Sequence, residues 1–184
     1  MGDVTQLLQQ VREQDAEALN RLFALVYDDL HRMARARLAQ NSPLTLLDPT
    51  SLVHEAYLRL HRAGRIDLDS RGRFMAYSAQ VLRAIIVDFA RRRAADRRGG
   101  DVVHVTLNTE IAASVGNTED DVERISDAVD ELAATDPRLK QVIEMRYFAG
   151  LTEQEVAEAL GVTERTVRRD WQRARLLLSV ALKK

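Results

Sequence analysis

The segment Leu151-Thr-Glu-Gln-Glu-Val-Ala-Glu-Ala-Leu-Gly-Val-Thr-Glu-Arg-Thr-Val-Arg-Arg-Asp-Trp-Gln-Arg-Ala-Arg175 constrains this chain more than any other. Thr152 and Glu155 have the spacing of a capping box, which opens a helix. Val156, Ala157 and Leu160 give that helix an apolar face. Gly161 stands where the chain must turn left-handed to leave it. Thr163 is placed to cap a second helix. Val167 and Trp171, four apart, share that helix's inner side. Arg165, Arg168, Arg169, Gln172 and Arg173 are left pointing outward. A capping box alone marks any helix start, and a basic face alone is often only solvated. The combination of a small residue at Ala157, the glycine turn, the β-branched residue after it and then a run of arginines is more specific. Arginine reads guanine edges and phosphates, and glutamine reads adenine. The expected structure is a helix-turn-helix whose second helix enters the major groove of DNA.

The rest of the chain reads as helical too. It has 184 residues, enough for one large or two small domains. Only 8 glycines and 3 prolines interrupt it, which favours long helices over many strands. No cysteine is present, which excludes disulfides and thiolate chemistry. No signal peptide and no long apolar run is evident, so a cytoplasmic protein without a membrane segment is expected. The net charge of −1 hides segregation. Asp88 to Arg98 holds five arginines against two aspartates, and Arg165 to Lys184 is basic as well. Glu119 to Asp136 is acidic, with Arg124 its single base. Two basic stretches separated by an acidic one suggest two nucleic-acid contacts.

A helix is expected from about Val4 to Gln40, with Leu19, Leu22, Phe23, Val26, Leu30, Met33 and Ala34 at helical spacing. Asn41-Ser-Pro43 breaks the pattern. Asp48 and Pro49 mark the next start as N-cap and first helical residue, and Leu52, Val53, Ala56, Tyr57 and Leu60 form the stripe that follows. A long helix is expected from about Arg73 to Arg97. The expected fold class is all-α. An N-terminal helical domain over 1–99 and a C-terminal one over 121–184 are joined by a linker at 100–120. Helices are expected near 121–134, 137–148, 153–160 and 164–181. Val102 to Leu107 is a candidate extended segment within the linker. His54-Glu55 resembles the start of a zinc-protease motif, but His61 comes two turns later and not one, so that geometry fails. No catalytic constellation, metal site or cofactor site is expected.

Taken in order, these stretches resemble the compact bacterial sigma factors of the extracytoplasmic-function (ECF) type. Ser51-Leu-Val-His-Glu-Ala-Tyr-Leu-Arg-Leu60 is similar to that family's core-binding helix. Phe74 to Arg93 is similar to its promoter-melting and −10-reading helix in region 2. Asp136 to Ala157 is similar to the opening of region 4, and Val167 to Arg175 to its −35-reading helix. The resemblance implies an alternative sigma factor, with core RNA polymerase and promoter DNA as partners and an anti-sigma factor or a Ser/Thr kinase as regulator. It makes Arg168, Arg169, Gln172 and Arg173 the −35 contacts, and gives Arg146 a phosphate. Arg83, Arg91, Arg92 and Arg93 would track the −10 backbone. Phe74 and Tyr77 have two readings: stacking platforms for unpaired bases, or core residues in step with Val81 and Ile85. The loop Gly64 to Ser70 is where a flipped base would be held. Asp48, Thr50, Ser51 and Glu55 would face the polymerase.

Two departures from the family pattern stand out. Thr50 and Ser51 occupy positions that are commonly acidic. A phosphate in that first helical turn would suit the helix dipole and restore the charge. Phosphorylation of Thr50 or Ser51 is therefore expected to switch on core binding. On the plainer reading both satisfy free backbone donors. Asp170, inside the basic helix, either repels phosphate or pairs with a neighbouring arginine. Two other functions fit parts of the chain. A dimeric helix-turn-helix regulator leaves the N-terminal basic helix without a role, and a helical protein-binding adaptor leaves both basic stretches without one.

Overall fold

Asp48 opens a helix as the sequence indicates. Its carboxylate accepts the Ser51 backbone N–H at 2.9 Å, and Pro49 takes the first helical position. The computed structural model describes residues 2–13, 15, 17–39, 47–63, 67–98 and 119–181. Among these the chain forms eight α-helices and no strand. They are α1 (Gly2–Arg12), α2 (Ala18–Ala39), α3 (Pro49–Ala63), α4 (Arg71–Arg98), α5 (Glu119–Thr135), α6 (Pro137–Ile143), α7 (Glu153–Leu160) and α8 (Glu164–Ala181). The end of α6 runs on as a π-helical turn, Glu144–Phe148. The expected break at Asn41-Ser-Pro43, the extended stretch Val102 to Leu107 and the body of the linker lie outside the described residues.

The one long helix expected over Val4 to Gln40 is two. Asp15 accepts the Glu17 N–H on its side chain at 2.9 Å and the Ala18 N–H on its carbonyl at 3.1 Å. It ends one helix and starts the next. α1 then folds back on α2 and buries Val4, Leu8 and Val11. The apolar spacing runs through this break, so periodicity could not reveal it.

α4 is the spine. It packs against α3 on one side and against α5, the π-helical turn and α7 on the other. Residues on more than one of its faces are therefore buried: Phe74, Met75, Ala79, Leu82, Ile86, Val87 and Ala90. The N-terminal helices and α5–α8 share one hydrophobic cluster across this helix. Two close approaches set the fit. A Cβ on Gly72 of α4 would come within 2.7 Å of the Ala159 Cα on α7. Gly150, at φ 63°, lets the chain turn into α7, and a Cβ there would meet the Ala36 Cβ at 2.6 Å. Among the described residues no helix is long and apolar enough to cross a membrane.

Candidate nucleic-acid interface

The helix-turn-helix is built as its residues dictate. The Thr152 N–H donates to Glu155 Oε2 at 2.8 Å, and the Glu155 N–H donates to Thr152 Oγ1 at 3.2 Å. These are the two bonds of a capping box. Gly161 closes α7 at φ 65°, in the left-handed region. Thr163 Oγ1 accepts the Thr166 N–H at 3.3 Å and caps α8. Val167, Ala174 and Leu178 are buried, and Trp171 is half-buried. The opposite side of α8 carries Arg165, Arg168, Arg169, Gln172 and Arg173, all exposed. Three of them pair with carboxylates: Arg168 with Glu153 at 2.9 Å, Arg173 with Asp136 at 2.9 Å and Arg169 with Asp170 at 3.3 Å. In the Glu153 and Asp136 pairs the arginines are exposed and the carboxylates only 24% and 23% exposed.

Asp170 is turned inward and only 4% exposed. It accepts from Arg138 Nε at 2.8 Å, tying α8 to α6, and stands 3.3 Å from Arg169. Of its two readings, the structure selects pairing with arginine. Arg138 had no role in the sequence argument, because nothing in spacing links residues 32 apart.

Arg146 is half-buried. Its guanidinium donates to the Leu151 carbonyl and lies 5.5 Å from the centre of the Trp171 ring. In this arrangement it holds the turn before α7 against α8.

The arginines of α4 are placed differently from those of α8. Arg83 is buried beneath α5 and the π-helical turn. It donates to Glu144 Oε1 at 3.0 Å, to the Ser126 carbonyl at 2.7 Å and to Ser126 Oγ at 2.8 Å, and pairs with Asp130 at 2.7 Å. Arg91 pairs with Glu123 at 3.1 Å and Asp127 at 3.2 Å, both on α5. Arg92 is exposed, and Arg93 lies 5.9 Å from the centre of the Phe89 ring. Phe74 is fully buried in the core. Tyr77 is half-buried and lines a cleft of about 420 Å³ between the two halves, with Leu68, Gln80, Gln141, Ala159 and Leu160 among its walls. The structure thus presents the α8 set together on one open face, and engages Arg83 and Arg91 with α5.

At the start of α3, the Ser51 hydroxyl is 3.3 Å from Asp48 Oδ2, and Thr50 Oγ1 is 3.5 Å from His31 Nε2. Ser51 is exposed and Thr50 half-buried. Glu55, one turn further, pairs with Arg59 at 3.3 Å. Asp48, Thr50, Ser51 and Glu55 therefore share one end of α3.

Burial pushes the Glu144 carboxyl above the usual glutamate range, against the pull of Lys140 and Arg83. For Glu155, burial works upward too, but the Thr152 hydrogen bonds and Arg32 outweigh it and hold the group low. Arg32 on α2 reaches Glu155 on α7 at 2.7 Å, a further tie between the halves.

Among curated proteins the comparison finds none that matches. A family model described as ECF sigma factor matches residues 1–184, the whole chain, and the chain belongs to that family.

Proposed function

We propose that this chain is an alternative sigma factor. It binds core RNA polymerase through the start of α3 and directs it to promoters whose −35 element is read by α8 and whose −10 element is read by α4. The observation that carries this reading is the open arginine and glutamine face of α8, on a helix-turn-helix whose caps and turn are all in place. Arginine forks on guanine and glutamine on adenine give such a face base selectivity, and the flanking arginines give it register on phosphate. Membership of a family that acts in transcription initiation supports the rest. Two reading helices on one chain make the second promoter contact effectively intramolecular. Such work places the protein in the bacterial cytoplasm and asks no catalysis of it.

The start of α3 supports a finer reading, in which a Ser/Thr kinase controls core binding. Asp48 supplies one carboxylate there, beside two hydroxyls. A phosphate on Thr50 or Ser51 would lie at the positive end of α3, and on Thr50 it would lie beside the His31 ring. An anti-sigma factor is the alternative regulator.

In vitro transcription with purified core polymerase and genomic promoter fragments tests both readings. Discrete transcripts that depend on the protein are expected. If the wild type is silent and Thr50→Glu with Ser51→Glu is active, phosphorylation is the switch. Silence of both would remove the sigma reading.

A further inference from the structure

The acidic residues of α5 that pair with α4 are regularly spaced. Glu123, Asp127 and Asp130 stand at i, i+4 and i+7 on α5, one stripe of a helix. Their partners are Arg91, with Glu123 and Asp127, and Arg83, with Asp130. Three carboxylates held against these two arginines have the charge pattern of a nucleic-acid backbone on the same side chains. We propose that α5 is an internal stand-in for the −10 strand, so that single-stranded DNA and α5 compete for Arg83 and Arg91 of α4.

This rests on the reading of α4 as the −10 helix and adds to it an order of events. The α8 face is open in the closed arrangement, so the −35 duplex can be engaged first. Arg83 and Arg91 become available only when α5 lifts away. Glu123, Asp127 and Asp130 have side-chain exposures of 34%, 60% and 63%, so salt and competing phosphates reach these pairs. Arg83 and Glu144 are 9% and 2% exposed, and form the buried end of the same contact. The arrangement is a latch with a wet edge and a dry centre. DNA affinity of α4 is then scaled down by the fraction of molecules that are open.

The test compares full-length variants for binding of a mixed-sequence single-stranded DNA oligonucleotide. Glu123→Gln/Asp127→Asn/Asp130→Asn removes the stripe. Glu13→Gln/Glu131→Gln/Glu158→Gln makes the same change of net charge at exposed positions off the contact. Gly72→Val opens the contact without touching charge, since even a Cβ there collides with α7. Opening is read separately, by energy transfer between dyes on cysteines placed at Leu25 and Arg175, because the chain has no cysteine of its own. The stripe variant and Gly72→Val are expected to lose energy transfer and to bind the single strand about tenfold tighter. The charge control is expected to stay near wild type. The proposal is overturned if the two variants open with no gain in binding, if neither opens, or if the charge control gains as much. Should the competition hold while the wild type and its Thr50→Glu/Ser51→Glu form stay silent with core polymerase, the sigma reading fails and the α5 latch stands.

Discussion

The guanidinium carbon of Arg37 stands 4.3 Å from the centre of the Tyr147 ring and 5.5 Å from that of Phe148. Arg37 belongs to α2 and is fully buried, and the two rings belong to the π-helical turn after α6. Burial lowers the arginine's pKa, and the Tyr147 hydroxyl partly offsets this. The extra residue of a π-turn rotates the side chains after it, and here both Tyr147 and Phe148 are buried. The cation is thus clasped at the junction of the two halves.

A desolvated cation over an aromatic face is worth about 2 kcal/mol. Arg37→Met and Tyr147→Leu are therefore expected to show a coupling of roughly 1–2 kcal/mol in a double-mutant cycle of urea unfolding. Additive effects would mean that the pair only fills space.

The two left-handed glycines predict different costs. A Cβ on Gly161 meets nothing within 4 Å, so Gly161→Ala carries only backbone strain, about 1 kcal/mol. Gly150→Ala carries the same strain plus the collision with Ala36, for a total of roughly 2–4 kcal/mol. Adding Ala36→Gly is expected to recover part of that excess in thermal melts, and to do nothing for Gly161→Ala.

Glu144 and Glu155 give opposite pH dependences. The folded Glu144 is raised, so the folded state holds its proton more tightly than the unfolded chain. Its contribution to stability is fully present below the ordinary glutamate range and is lost as pH rises through the raised value. The folded Glu155 is lowered, so its contribution is present above that range and is lost as pH falls through the lowered value. Melting temperatures from mild acid to neutral are expected to fall less steeply in Glu144→Gln than in wild type. Glu155→Gln is expected to weaken the acid-side loss instead.

On α8, Arg165→Ala and Arg169→Ala are each expected to lower the salt slope of duplex binding by about one if they hold phosphates. If they read bases, they relax selectivity at one position by roughly tenfold or more. Asp170→Ala is expected to act through stability, because its carboxylate holds Arg138. A melting curve displaced by Asp170→Ala and unmoved by Arg165→Ala would separate these roles.

Most of the local structure was legible in the residues. The caps at Asp48, Asp136, Thr152 and Thr163, the Gly161 turn and the spans of α3, α4, α7 and α8 follow from hydrogen-bonding chemistry between residues three or four apart. The break at Asp15 was not legible, since an aspartate interrupts a helix only when the chain beyond it has somewhere to fold back. The candidate site was legible where it is local, on α8. On α4 a row of arginines was visible, but not that two of them are engaged by α5.

By itself the sequence determined which stretches are helical, where α3, α4, α7 and α8 begin and end, and that α8 carries an exposed arginine face. Those properties depend on neighbours within a turn or two. Only the tertiary structure decided that Arg83 lies under Ser126, Asp130 and Glu144, that Arg37 meets Tyr147, and that Gly72 admits Ala159. These pairs lie 43 to 110 residues apart, and Arg32 and Glu155 lie 123 apart. Periodicity carries no information over such separations. The packing of whole helices sets them, through shape and the need to satisfy buried charge.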